Sequence, residues 1–328
     1  MSRSGEFSWI ETHLAPLAGE GAFALKDDAA LLPLEADKRV VITQDAIMEG
    51  VHFLSDDPLD TVAQKAIRVN VSDIIAKGAK PTAWSMALGV PDAWEDADME
   101  RFAKGLAADQ ETYGLTLTGG DTYRSPGGLC VAITLFGSVD EDGYKSRSGA
   151  FEGNLIYVSG TIGKSAVGLR VATGALQVEA SAAGDHLGAY RIPQPPFGLQ
   201  DAIAQFATAS MDVSDGLVGD CRKLCAASQV TAQIECDDIP LSPPVRGLLT
   251  RGERLWPTIL GGGDDYQVLC TVEKGNATAF EKAALDAGHT VTRIGSCGAL
   301  SEDETKQGVS ITRSGVPIQL ERESFSHF

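Results

Sequence analysis

The chain has 328 residues, 43% of them apolar and 22% charged, a balance that excludes a disordered, collagen-like or coiled-coil polypeptide. Its 45 acidic and 27 basic residues leave a net charge of −18 with the basic residues scattered, so a nucleic-acid duplex or an anionic membrane surface would be repelled. No apolar run approaches the roughly 18 residues of a membrane span, and the start Met1-Ser2-Arg3-Ser4-Gly5-Glu6 lacks the order of a secretory signal, so a cytoplasmic protein is expected.

At roughly 150 residues per domain the length predicts two domains. Residues 39–43 are strand-like, 61–78 have helical spacing, and 82–90 are strand-like again. An acidic start at 91–96 leads into a helix ending near Tyr113-Gly114, and 115–118 and 129–139 read as strands around a glycine-rich turn. Near Arg147 the pattern restarts with a strand at 155–158, a glycine turn and a helix from about Ser165. The stretch Ile192-Pro193-Gln194-Pro195-Pro196 can be neither a central strand nor a helix interior, and reads as a connection. The expected organisation is two α+β domains, 1–145 and 146–328, with no short-period repeat.

Six cysteines, at positions 130, 221, 225, 236, 270 and 297, read as reduced thiols in a chain of this length without an export signal. Neither they nor the five histidines have the spacing of a zinc site.

A recurring local design is more informative: a short apolar run stops and presents aspartate. It occurs at Lys26-Asp27-Asp28, Thr43-Gln44-Asp45, Val71-Ser72-Asp73, Gly119-Gly120-Asp121, Asp212-Val213-Ser214-Asp215 and Gly262-Gly263-Asp264-Asp265. Any one of these fits an ordinary turn or helix cap. Six in one chain, with few histidines and no thiolate cluster, also fit a set of hard oxygen ligands for Mg²⁺ or Mn²⁺. The adjoining glycines would let backbone N–H groups approach a polyphosphate. A look-alike of the phosphate-binding P-loop, Ser159-Gly160-Thr161-Ile162-Gly163-Lys164-Ser165, fails because Val158 stands where that motif requires glycine, and it reads as a strand-to-helix turn.

Taken in order, these motifs resemble the thiamine-monophosphate kinase family, within the superfamily of aminoimidazole ribonucleotide synthetase-like proteins. The most specific pieces are Asp45-Ala46-Ile47-Met48-Glu49-Gly50-Val51-His52-Phe53, the stretch 65–79 around Asn70-Val71-Ser72-Asp73, Gly119-Gly120-Asp121-Thr122, Ser148-Gly149-Ala150, Asp212-Val213-Ser214-Asp215-Gly216-Leu217 and Gly262-Gly263-Asp264-Asp265-Tyr266. The resemblance implies magnesium ligands at Asp28, Thr43, Asp45, Asp73, Asp121, Asp212 and Asp215, and nucleotide contacts at Gly120, Asp121, Arg147 and Ser214. It also implies contacts to the thiamine moiety at His52, Asp264 and Phe325. The chain departs from the family pattern at Lys26, Gln44 and Asp264, where the family usually has Gly, Thr and Glu.

The implied activity is ATP-dependent phosphorylation of thiamine monophosphate, assisted by several Mg²⁺ ions, with Asp45, Asp121 and Arg147 at the transferred group. The implied architecture is an N-terminal α+β domain whose strands form a barrel across a homodimer interface, and a C-terminal α+β domain closing the site. Two alternatives stand beside this reading. One is another ATP-using synthetase of the superfamily, of selenophosphate or purine-pathway type, although no reactive cysteine precedes Cys130. The other is a non-catalytic nucleotide- or metal-binding protein, which would be expected to lose several of the aspartates.

Overall fold

A computed structural model of the chain describes residues 5–27, 29–32, 36–252, 254–300, 308–318, 320 and 324. They form two compact units, one of residues up to 74 with 79–141, the other of 75–78 with 142 onward. No described helix is long and apolar enough to cross a membrane.

The first unit begins with α1 (Glu6–Trp9) and short helical turns as far as Leu25. It continues through β1 (Lys38–Met48), α2 (Leu59–Ala76), β2 (Lys80–Pro91), α3 (Asp96–Tyr113), β3 (Thr116–Ser125) and β4 (Cys130–Asp140). The sheet order is β1-β4-β2-β3, with β3 parallel to β2 and the other neighbours antiparallel. Val131, Ile133, Leu135 and Val139 alternate along β4 as a buried face, and a Cβ at Gly137 on that face would stand 2.5 Å from Ile74 of α2. α3 reaches the same sheet through Gln110, whose Oε1 accepts the Trp84 indole N–H at 3.0 Å.

A buried ion pair joins the two helices. Arg68 of α2 donates to both carboxylate oxygens of Asp109 on α3, at 2.7 and 2.8 Å, and Gln64 adds a third bond at 2.9 Å. The opposite face of the sheet carries Ala132, Thr134 and Phe136, half-buried, beside exposed Ile42 and Met48 on β1.

Three local expectations are corrected. β1 continues past Thr43 to Met48, so Asp45 lies mid-strand and not at a turn, because eleven consecutive residues pair with β4 without a break. Asp73 lies inside α2, as the helical spacing over 61–78 predicts, so only its reading as the end of a short apolar run is corrected. The glycine-rich turn at 119–120 is instead strand: β3 runs on to Ser125, with a bulge at Thr118 as the pairing of Leu117 and Gly119 to β2 shifts. A Cβ at Gly120 would stand 2.0 Å from the Met86 carbonyl oxygen, so this glycine serves close strand contact.

The second unit contains β5 (Leu155–Ser159), α4 (Lys164–Ala172), α5 (Ala180–Arg191), α6 (Gln200–Phe206), β6 (Ala207–Val213), α7 (Leu217–Ser228), β7 (Thr231–Glu235) and α8 (Pro243–Thr250). It continues with α9 (Trp256–Gly261), β8 (Gln267–Val272), α10 (Ala277–Asp286), β9 (Val291–Gly298), β10 (Val309–Arg313) and β11 (Val316–Pro317). The seven strands are ordered β11-β10-β7-β9-β5-β8-β6. β8 is buried throughout, and Val158, Met211, Leu217, Leu224, Ile234 and Leu269 lie in one core. The proline-rich stretch connects α5 to α6. All six cysteines are unpaired, five of them buried and Cys130 half-buried.

Candidate active site

In the first unit the strand period places Thr43 and Asp45 on the helix-covered face, opposite Leu135 and Ile133. Two residues of α2 spaced i, i+3 meet them. The Thr43 hydroxyl donates to Asp73 Oδ2 at 2.6 Å, and the Asp45 N–H donates to Asn70 Oδ1 at 2.9 Å. Asn70 is wholly buried and its Nδ2 donates to the Ala66 carbonyl at 3.0 Å, which fixes the amide. His52 sits in the turn after β1. Its Nδ1 accepts the Met48 N–H at 3.1 Å, setting a neutral ring to the Nε2–H tautomer, and its carbonyl accepts buried Lys65 at 3.0 Å.

Gly120 and Asp121 line a cavity of about 480 Å³ with Leu14, Leu25, Asp27, Met86 and Phe136. Asp28 lies outside the described residues, though its neighbour Asp27 lies on this cavity. The pairing registers run Asp45, Ile133, Met86, Gly120, one row across the sheet. Strand spacing separates β1 from β3 by roughly 14 Å, so Asp45 and Asp121 belong to opposite edges of the sheet.

Thr43, Asp45 and Asp73 at one edge of the sheet and Asp121 at the other are all oxygen donors, the kind that suits hard cations. Among the described residues no three histidine, cysteine, aspartate or glutamate side chains converge as a closed metal cage.

In the second unit Asp212 is buried near the end of β6 and the chain then turns through Ser214 and Asp215 into α7. The N–H groups of Ser214 and Asp215 both donate to Asp220 Oδ2, at 3.0 and 2.9 Å. Lys223 donates to Asp220 Oδ1 at 2.8 Å and also to the Asp215 carboxylate. The glycine-rich loop before β8 is stitched to this turn: the N–H groups of Asp264 and Tyr266 donate to the carbonyls of Ser214 and Val213, each at 2.8 Å. Gly263, at φ 71°, permits the approach, since a Cβ there would stand 2.4 Å from the Ser214 carbonyl oxygen.

Asp265 is buried and accepts the Gly163 N–H at 2.6 Å and the Ser165 N–H at 3.4 Å, at the start of α4. Burial outweighs these amide bonds and pushes its carboxyl up to about 7. The P-loop look-alike is therefore a strand-to-helix turn whose helix start already holds a carboxylate. Arg147 is exposed, and its carbonyl accepts the Ser228 hydroxyl at 2.6 Å. Phe325 lies outside the described residues.

Asn70, Asp220, Lys223 and Asp265 went unassigned in the sequence. Their signals were an asparagine three residues before Asp73 in an apolar helix, an Asp-Lys pair at helical i, i+3 spacing, and a second aspartate adjoining Asp264.

Comparison with known proteins adds a separate line. Residues 26–139 match the family model of AIR synthase related protein, N-terminal domain, and residues 152–306 match that of its C-terminal domain. The thiamine-monophosphate kinase of Caulobacter vibrioides is 37% identical over 327 residues, covering 98% of this chain and 90% of that protein. The crystal structure of thiamine-monophosphate kinase from Stenotrophomonas maltophilia K279a is 33% identical with a TM-score of 0.79, covering 90% of this chain and 91% of that one. A structure of AaThiL complexed with AMPPCP and TMP is 29% identical with a TM-score of 0.78, covering 100% and 99%. With both family models matched in order and the identity extending over nearly the whole chain, the chain belongs to the thiamine-monophosphate kinase family of AIR synthase related proteins.

Proposed function

We propose that the chain transfers the γ-phosphoryl group of ATP to thiamine monophosphate, giving thiamine diphosphate and ADP. The observation that carries this reading is the pairing of Thr43 with Asp73 and of Asp45 with Asn70, which holds oxygen donors on a rigid strand and helix inside a full-length match to the kinase family. The bound ATP analogue and TMP in the AaThiL structure support the same pair of substrates.

The acceptor is itself a phosphate with a second pKa of about 6, so it is largely deprotonated near neutrality and needs no general base. The obstacle is the approach of two anions. Thr43, Asp45, Asp73, Asp121, Asp212 and Asp215, with Asp28 outside the described residues, would hold magnesium. Several such ions, when bound, would neutralise phosphate oxygens and let donor and acceptor approach. Asp45, Asp121 and Arg147 act at the transferred group, where the guanidinium adds positive charge. Gly120, Asp121, Arg147 and Ser214 hold the nucleotide, and the 480 Å³ cavity beside Gly120 supplies apolar walls for it. His52 and Asp264, with Phe325 beyond the described residues, contact the thiamine moiety. Asp264 keeps the charge of the glutamate usual in the family with a shorter reach.

A homodimer completes this reading. β1 is an edge strand with Ile42 61% and Met48 47% exposed on the face the helices leave uncovered, and β3 is the other edge. Closing both edges against a second copy forms a barrel and covers these side chains. Unpaired, mostly buried thiols suit a cytoplasmic location.

The test is an assay of purified protein with ATP, Mg²⁺ and a panel of phosphorylated acceptors. Formation of thiamine diphosphate and ADP supports the kinase. ATP consumption only with an amide or selenide acceptor would replace it with a synthetase.

A further inference from the structure

Two buried carboxylates of the second unit, Asp220 and Asp265, are given no substrate contact in the reading above and are instead bonded within the protein. Asp220, fully buried on α7, gathers the amides of Ser214 and Asp215 on one oxygen and bonds Lys223 through the other. Asp265 gathers the amides of Gly163 and Ser165 at the start of α4. The chemistry is the same in both cases: a carboxylate out of water, held by backbone N–H donors, pins a turn to a helix. The loop pinned by Asp265 also carries strain. Asp264 and Tyr266, on either side of it, have left-handed φ values of 65° and 49°. Residues with side chains keep such values only where their surroundings overdetermine them, and that condition is common at substrate-binding loops.

We propose that Asp220 and Asp265 are positioning residues for different substrates: Asp220 sets the 214–215 turn that serves the nucleotide, and Asp265 sets Asp264 for the thiamine acceptor. The proposal rests on the reading above that assigns Ser214 to the nucleotide, Asp215 beside it to magnesium and Asp264 to the acceptor. The two loops share the bond from the Asp264 N–H to the Ser214 carbonyl. That bond lies between backbones and survives substitution of either carboxylate, so each carboxylate governs its own loop. An asparagine at 265 keeps one acceptor oxygen and turns an NH₂ group toward the second amide, which releases Asp264 toward relaxed backbone angles. An asparagine at 220 that keeps its oxygen toward the two amides loses the charge that holds Lys223, and Lys223 is left on Asp215 alone.

The test is steady-state kinetics of the full-length protein with ATP and thiamine monophosphate varied separately, for Asp220→Asn and Asp265→Asn, beside the reference variants Ser214→Ala and Asp264→Ala. Asp265→Asn should raise the KM for thiamine monophosphate about tenfold and change that for ATP less than about twofold, and Asp220→Asn should do the reverse. Equal effects on both substrates, or a lowered melting temperature with both KM values unchanged, would overturn the proposal. If Asp264→Ala leaves the acceptor KM unchanged, the assignment of Asp264 is wrong and the Asp265 half falls with it. If Asp264→Ala raises it and Asp265→Asn does not, the positioning role alone fails. Should the asparagine variants not accumulate as folded protein, Asp220→Ser and Asp265→Ser keep one acceptor oxygen and give the same readouts. Failure of all four to fold would make both carboxylates structural and end the proposal.

Discussion

Replacing Asn70 by alanine removes the side chain that ties Asp45 to α2. Of its two hydrogen bonds, the one to the Ala66 carbonyl matters less, because that oxygen keeps its regular helical partner, the amide of residue 70. The other leaves the Asp45 N–H, on the side of β1 away from β4, without its acceptor. An orphaned amide of this kind costs about 1–3 kcal/mol. Because β1 is an edge strand that water reaches, a value of about 1.5 kcal/mol is expected, or a fall of about 4–6 °C in the melting temperature of a unit this size. The same change frees the backbone that presents Asp45, so the Mg²⁺ concentration for half-maximal activity should rise about fivefold, with a smaller change at saturating metal. Thermal melts in chelator and a Mg²⁺ titration of activity measure both effects. Wild-type melting together with wild-type Mg²⁺ dependence would mean that the Asn70 bond neither stabilises β1 nor positions Asp45.

Asp109→Leu leaves the buried Arg68 guanidinium uncompensated and should cost about 3–5 kcal/mol in denaturant unfolding, whereas the double variant Arg68→Met, Asp109→Leu should recover most of it; a double variant no better than the single would refute the account. Asp121→Asn should lower kcat/KM on the order of 10²-fold, about 3 kcal/mol of transition-state stabilisation, without lowering the melting temperature, and near-normal activity at saturating Mg²⁺ would remove Asp121 from the metal set. The carboxyl of Asp265 titrates near 7 in the folded chain against an ordinary value near 3.8, so between these values the native state binds the extra proton and stability falls as pH rises. Melts of wild type and Asp265→Asn from pH 4 to 8 should show the shallower decline in the variant, and parallel curves would place the folded pKa of Asp265 close to its unfolded one.

The fold class and the strand and helix order of the first unit were legible because apolar spacing is a local property. The local geometry of several aspartates singled out in the sequence was misjudged. Asp45 and Asp121 looked like turn aspartates because glutamine or glycine precedes them, but Asp45 pairs with Ile133 on β4 and Asp121 with Ala87 on β2, and those distant partners carry the strands past them. Gly120 illustrates the same point: a glycine beside an aspartate reads as a turn until a neighbouring strand is found where its Cβ would stand. Asp109 and Arg68 are 41 positions apart, and nothing in either local sequence announces an ion pair. Asp220 and Asp265 were hidden differently: Asp265 lies within a recognised motif and Asp220 just beyond one, and the backbone amides they hold leave no trace in residue identity.

The bare edge of β1 also bears on how the polypeptide fares during synthesis. The outer edge of β1, which no other strand of its sheet borders, carries isoleucine and methionine on the uncovered face and forms a template that an extended segment can join, a second folded copy or an unfinished neighbour alike. Under the proposed homodimer, soluble yield should therefore depend on which arrives first, falling when translation outpaces assembly. A single Ile42→Lys change should separate the two outcomes, giving chains that stay in solution on their own and no longer associate, and the cost of that solubility would be read as specific activity that no longer rises with protein concentration.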